Sequence, residues 1–312
     1  MNNKVIFLFG PTAVGKTQLL FDFFQGTGEV VNADSVQVYR HLDIGSAKAG
    51  KDITDRIPHH LIDILDPWES YNVADFIRLA DTACRGIWER GRIPVVSGGT
   101  AFYFKHFMYG LSQAPASDPG TREAVDLYIR DQGLEKAYGY LQIIDPVSAA
   151  RINRNDSYRI SRAIEVYRSS GRPLSDFALP TVPRNDMQIL SIGLMRDREI
   201  LRERIRRRVD IMFDQGIVAE IRGLLEMGAD LSWQSMQGIG YREFLEKAST
   251  PGELDNLSAS ELDAIRAAIC SNSIHYAKRQ MTFFRSFADV NWIEADDMET
   301  LGNTIGEFLN QR

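Results

Sequence analysis

The 312-residue sequence predicts an α/β fold, a parallel sheet flanked by helices with an all-helical insertion, on three observations. Over the first hundred residues, short β-branched or apolar runs alternate with helically periodic segments. From 118 to about 179 the strand-like runs stop and only helical spacing remains. A further strand-like run at 188–194 then returns the chain to the sheet. Taken in order, residues 5–9 read as the first strand and the amphipathic stretch from Lys16 as its helix. Residues 29–33 read as the second strand, 73–90 as a helix, and 93–97 as another strand. Within the insertion, Ala124, Leu127, Tyr128 and Asp131 recur at helical spacing, as do Ile160, Ala163, Ile164 and Tyr167. Pro115 and Pro119 bracket its start, and Pro180 and Pro183 its end. The expected division is a core of 1–116 together with 184–312 and an insertion of 117–183. Two long helical patterns, 198–227 and 260–287, complete the core.

With 44% apolar and 25% charged residues, the chain can bury one good core and a smaller second unit. The apolar run 5–9 is too short for a signal segment or a membrane span, so a cytoplasmic protein without a membrane partner is expected. Cys84 and Cys270 are the only cysteines and stand far apart; neither a disulfide framework nor a zinc site is indicated, and both are expected to be buried. The net charge of −6 argues against a nucleic-acid partner, because phosphate neutralisation needs clustered cations. The distribution of charge qualifies this. Residues 151–172 hold six arginines against Asp156 and Glu165, and residues 198–208 hold six against Glu199 and Glu203. One basic surface on an acidic body would give that pattern, and so would solvated helix faces.

Gly10-Pro11-Thr12-Ala13-Val14-Gly15-Lys16-Thr17 follows the first strand directly and opens a helical pattern, the context that a G-x-x-x-x-G-K-[ST] phosphate loop requires. The fold expected is therefore P-loop NTPase-like. Glycines let the backbone amides wrap a phosphate, the helix directs its positive end at the anion, Lys16 reaches the outer phosphate, and the Thr17 hydroxyl can hold Mg²⁺. The loop says only that a diphosphate or triphosphate binds; ATP is not singled out. A kinase or NTP hydrolase of this fold usually ends another strand in a metal-holding acid. Here 93–97 ends in Gly98-Gly99-Thr100, and Asp63 and Asp66 are weak substitutes.

Asp34 follows the second strand, at the edge where open parallel sheets keep their ligand crevice. It reads either as a proton acceptor for an incoming nucleophile or as a turn aspartate. Thr100 has the same two readings, a hydroxyl at the reacting centre or a helix cap. Leu201, Ile205, Val209 and Met212 form an apolar stripe at helical spacing, and Arg208 projects with it. An inward arginine needs an anion, either a buried acid or a ligand phosphate.

Several strings together resemble the tRNA dimethylallyltransferases of bacterial type. They are the phosphate loop, the run from Asn32 to Tyr39, Asp43-Ile44-Gly45-Ser46-Ala47-Lys48, Pro58-His59-His60-Leu61-Ile62-Asp63, and Gly98-Gly99-Thr100. Further on come Asn155-Asp156 with Arg159, Arg162-Ala163-Ile164-Glu165-Val166, Gly238-Ile239-Gly240-Tyr241 and Tyr276-Ala277-Lys278-Arg279-Gln280. The resemblance runs from about Lys4 to Arg285. It implies Mg²⁺ as cofactor, with dimethylallyl diphosphate and a tRNA anticodon stem-loop as partners. The five-carbon group would go to the exocyclic amine of the adenosine 3′ of the anticodon in tRNAs reading U-initial codons, on a monomeric enzyme.

By the same resemblance Thr12, Ala13, Val14, Gly15, Lys16 and Thr17 hold the diphosphate, with Thr17 on the metal. Asp34 is the general base, Thr100 lies beside the reacting groups, and Arg208 holds the diphosphate. tRNA contacts are implied for Asp34, Ser35, Val36, Gln37, Thr100 and Arg122. They are implied also for Tyr158, Arg159, Ile160, Ser161, Arg162, Gln237, Gly238, Ile239, Gly240, Tyr241 and Arg242. Ala101, Ser46, Ala49 and Phe283 depart from the family's usual residues at their positions. No zinc finger follows Arg285, which fits the bacterial type. The rivals are an adenylate isopentenyltransferase acting on a free nucleotide, a P-loop small-molecule phosphotransferase, and a non-enzymatic RNA-binding ATPase.

Overall fold

The computed structural model describes residues 3–116, 118–177 and 180–311. Strands β1 (Lys4–Phe9), β2 (Gly28–Asn32), β3 (His59–His60) and β4 (Ile93–Gly98) alternate with helices α1 (Lys16–Phe24), α2 (Lys51–Thr54) and α3 (Val73–Glu89), and α4 (Ala101–Tyr109) follows β4. The chain then forms α5 (Pro119–Gln132), α6 (Leu134–Ile144), α7 (Pro146–Ala149) and α8 (Ser157–Ser170). It returns through β5 (Gln188–Met195) to α9 (Arg198–Asp214), α10 (Ile217–Glu226), α11 (Arg242–Leu245), α12 (Pro251–Asp255) and α13 (Ala259–Phe284). Strand β6 (Val290–Glu294) and α14 (Met298–Asn310) end it.

The sheet is parallel throughout its described residues, in the order β3-β2-β4-β1-β5-β6. Parallel neighbours demand crossovers, which the helices supply on both faces. Strand β1 is buried along its whole length, as a central strand covered on both sides must be. On one face Ile6, Leu8, Leu20, Ile192 and Leu194 pack with Leu301 and Ile305 of α14. On the other, Phe9 stacks on Phe284 of α13 at 4.4 Å, with Phe104 edge-on to both rings. Because β2, β4 and β1 are adjacent, their carboxyl ends bring Asp34, Thr100 and the phosphate loop to one edge of the sheet.

The chain divides into two compact units, Met1–Phe107 with Asn185–Arg312, and Met108–Arg184. The second begins earlier than the expected 117 because the end of α4 and the connection after it belong to it: Arg184 N donates to the Met108 carbonyl at 2.8 Å. Ser112 donates to the Phe177 carbonyl at 2.7 Å, and Arg162 donates to the Pro115 carbonyl. Its core is Val125, Leu141, Ile160, Ala163 and Ile164. Asp118, with Pro119 at the first helical position, caps α5, and Asp156 caps α8.

The single helix expected over 198–227 is two, separated at Gly216, whose φ of 94° ends the helical path. The strand β6 and helix α14 were not anticipated, and Cys270 is only half-buried, unlike Cys84.

Candidate active site

After β1 the chain turns through Ala13 (φ 63°) and Gly15 (φ 117°), both left-handed, so that α1 starts at Lys16. No side chain caps the first amides of α1, which leaves these donors and the positive end of the helix open to an anion. Lys16 Nζ donates to the Gly10 and Pro11 carbonyls at 3.0 and 3.1 Å. Burial, with the Arg208 guanidinium close by, pushes the Lys16 ammonium down to about 8, against the opposing pull of Asp34. Thr17 is exposed in the first turn and lines the same cleft.

Gln280 ties the loop to the next strand end: its carbonyl oxygen accepts from Thr12 N at 2.9 Å and its amide donates to the Gly99 carbonyl at 2.8 Å. The two glycines of Gly98-Gly99-Thr100 are required by this closeness. A Cβ on Gly98 would enter the Ala33 backbone, and one on Gly99 would meet the Gln280 amide. Thr100 Oγ1 accepts from Ser35 N at 3.1 Å, joining the ends of β4 and β2. Tyr276 of α13 lines the cleft nearby. Burial, and next the charge of Asp34, raise its hydroxyl to about 12, partly offset by hydrogen bonds with Gln280 and Thr100.

Asp34 Oδ1 accepts from Val36 N at 2.9 Å and Gln37 N at 3.2 Å, while among the described residues no donor meets Oδ2. One oxygen thus builds the turn and the other is left without a protein donor among the described residues. Arg208 donates to Thr12 Oγ1 at 2.7 Å and to the Ser46 carbonyl at 3.1 Å. No carboxylate lies within ion-pair distance of it among the described residues. Asp34 acts on Arg208 through space without pairing with it.

Two further arginines, missed in the sequence, grip the loop. Arg204, one turn before Arg208 on α9, donates to the Ala13 carbonyl at 2.7 Å. Arg196 donates to the Val14 carbonyl at 3.2 Å and holds Asp296 with both terminal nitrogens, at 2.6 and 2.7 Å. The i, i+4 spacing of Arg204 and Arg208 was a usable signal for the first; for Arg196 there was none. The cleft has a volume of about 840 Å³ and runs from the loop past Asp34, Arg208, Gln237 and Tyr276. Asp63 and Asp66 do not line it, because Lys48 and Arg40 hold them in ion pairs elsewhere.

The profile of IPP transferases matches residues 37–287. The chain belongs to the IPP transferase family. A tRNA dimethylallyltransferase of Borrelia turicatae is 41% identical over 295 residues, 95% of each chain. The solved tRNA isopentenylpyrophosphate transferase of Bacillus halodurans is 35% identical, with a TM-score of 0.68 over 99% of this chain and 96% of that one. A solved eukaryotic dimethylallyltransferase acting on tRNA gives a TM-score of 0.78 at 26% identity, over 98% of this chain and 77% of its own.

In this IPP transferase the residues singled out for RNA fall into three groups. Ser35, Val36, Gln37, Gln237, Gly238 and Ile239 line the cleft with Asp34. In the helical unit, Arg122, Tyr158 and Arg159 are exposed, Tyr158 by 68%. Arg162 is half-buried, and Ile160 and Ser161 face inward. Tyr241 is fully buried and Gly240, at φ 100°, packs on Gly45, so these two act inside the fold, while Arg242 is exposed and paired with Glu246. The acids set against these arginines are each paired within their own segment, Glu199 with Arg202, Glu203 with Arg206, Asp156 with Arg159 and Glu165 with Arg162, so the arginine excess of both segments remains.

Proposed function

We propose that this IPP transferase is a tRNA dimethylallyltransferase, moving the dimethylallyl group from its diphosphate to the exocyclic amine of an unpaired adenosine in RNA. The observation that carries the chemistry is the juxtaposition, at one sheet edge, of an anion cradle, an arginine without a carboxylate partner, and a carboxylate oxygen without a donor. The finer reading is that the acceptor is the adenosine 3′ of the anticodon in tRNAs reading U-initial codons, and that the enzyme works as a cytoplasmic monomer. No helix among the described residues is long and apolar enough to cross a membrane.

In this reading the loop amides, Lys16 and Arg208 bind the diphosphate and stabilise the charge that grows on it as the allylic carbon–oxygen bond breaks. The amine nitrogen forms the new bond to that carbon, and Asp34 Oδ2 takes the proton the amine releases. Thr100 and Tyr276 orient the acceptor. The base has to leave its stack to reach this edge, so a flipped adenosine is part of the proposal. The exposed Thr17 hydroxyl at the loop is a hard oxygen donor of the kind Mg²⁺ takes together with phosphate oxygens and waters, so the residues fit the ion. When bound there, Mg²⁺ would supply further positive charge to the leaving diphosphate.

The test is nucleoside analysis of unmodified tRNA incubated with the protein, Mg²⁺ and dimethylallyl diphosphate. N6-isopentenyladenosine at one position 3′ of the anticodon supports the proposal, and recovery of only unmodified adenosine overturns it.

A further inference from the structure

The segment 43–46 borders the cleft through Gly45 and Ser46, yet what fixes it lies outside the cleft, on α10 and just before α11. Glu220 Oε2 accepts from Asp43 N at 3.0 Å and Ile44 N at 2.7 Å, and its Oε1 accepts from Gly45 N at 3.0 Å and from the Tyr241 hydroxyl at 2.8 Å. That hydroxyl in turn accepts from Ser46 N at 3.0 Å. Four consecutive backbone amides therefore end on one carboxylate and one phenol. The fit is close, because a Cβ on Gly45 would lie 2.6 Å from the Tyr241 ring.

The consequence falls on Arg208. With no carboxylate to hold it, its direction rests on two neutral acceptors, Thr12 Oγ1 and the Ser46 carbonyl. Gln37 donates to the same carbonyl at 3.1 Å. A carbonyl can aim a guanidinium only if its peptide is held: the Ser46–Ala47 peptide is tied by Ala47 N to the Ile44 carbonyl at 3.0 Å, inside the segment that Glu220 fixes, and the peptide before it is tied by Ser46 N to Tyr241. We propose that Glu220 and Tyr241 are positioning residues, which hold the 43–46 segment so that the Ser46 carbonyl aims Arg208 at the phosphate loop. This rests on the reading of Arg208 as a diphosphate-binding group, and it gives Tyr241 an internal task in place of an RNA contact.

A double-mutant cycle tests it, with Mg²⁺-pyrophosphate as the probe and calorimetric affinity as the readout. Tyr241→Phe keeps the ring beneath Gly45 and removes only the hydroxyl. It is expected to weaken pyrophosphate binding by about tenfold, the scale of one or two hydrogen bonds. In an Arg208→Ala background, itself weakened about a hundredfold by loss of a charge-assisted contact, Tyr241→Phe is expected to change affinity by less than about twofold. Affinity for an anticodon stem-loop should stay level in the single variant. Glu220→Gln, which leaves the tyrosine in place, should behave the same way and carries the cycle should Tyr241→Phe fail to fold.

Equal losses in both backgrounds would overturn the inference, since the hydroxyl would then act independently of Arg208. No loss in the wild-type background would also overturn it. If Arg208→Ala alone leaves pyrophosphate affinity unchanged, both the inference and the diphosphate role of Arg208 fail. The first two outcomes leave that role standing.

Discussion

Replacing Asp34 by Asn separates the two tasks its carboxylate performs. Oδ1 accepts from Val36 N and Gln37 N at 2.9 and 3.2 Å, and an asparagine carbonyl can accept both, so the turn should survive. What Asn lacks is the negative charge and the proton-accepting oxygen that no protein donor engages. General-base assistance by a positioned side chain contributes about 10²- to 10⁴-fold, so single-turnover transfer to an anticodon stem-loop should fall by at least about a hundredfold. Binding of dimethylallyl diphosphate should not weaken, because Asp34 is a negative neighbour of both Lys16 and Arg208 and its charge opposes an incoming anion. The assay is rapid quench with labelled donor at saturating enzyme, alongside calorimetric donor affinity for the same variant. Transfer within about threefold of wild type would instead make Asp34 a turn residue, because a base and a turn cap differ in what Asn can replace. Asp34→Ala, which loses the turn as well, should show the same loss of transfer and a lower melting temperature.

Three further outcomes are expected. Lys16 stands at about 8 in the free protein and a bound diphosphate favours its charged form, so donor binding near pH 8 should take up a proton and affinity should fall as pH rises through that value. Calorimetry in buffers of different ionisation enthalpy reads the uptake, which Lys16→Arg should abolish. Glu29, buried and bonded to Arg90 and His60, is held down to about 2, chiefly by the hydrogen bonds from Arg90. Its contribution is complete above the ordinary carboxyl range and is lost as pH falls from there through about 2. Denaturant melts of Glu29→Gln should therefore show a loss on the order of 3 kcal/mol at neutral pH that shrinks on acidification. Gly98→Ala should destabilise by more than about 2 kcal/mol and lower activity, since the Ala33 backbone leaves no room for a methyl group; an unchanged melting temperature would contradict the close approach of β4 and β2.

The strands, the phosphate loop and the inward phase of Arg208 were legible because each depends on local spacing: period two in a strand, a fixed turn, period 3.6 on a helix. Whether a protein acid pairs with Arg208 was not legible, since that depends on every other segment: Asp34 acts on it only through space, and no carboxylate among the described residues comes within ion-pair distance. The Glu220 bonds to 43–45 join positions about 175 residues apart, and no pattern along the chain marks such pairs. Tyr241 lies in a motif whose family resemblance suggested RNA, whereas its burial gives it a structural partner. The edge strand β6 is not legible in the sequence because Val290, Asn291, Trp292 and Glu294 give only a short, mixed run. Gly216 broke a helix whose apolar periodicity continues across it.

Whether the acceptor lies in RNA is read by single-turnover partition of labelled dimethylallyl groups between an unmodified anticodon stem-loop and AMP in one mixture. Label is expected in the RNA, at the adenosine 3′ of the anticodon, with AMP unlabelled. Label in AMP and none in RNA would contradict it and make the protein a free-nucleotide transferase; label in neither would return the site to the phosphotransferases.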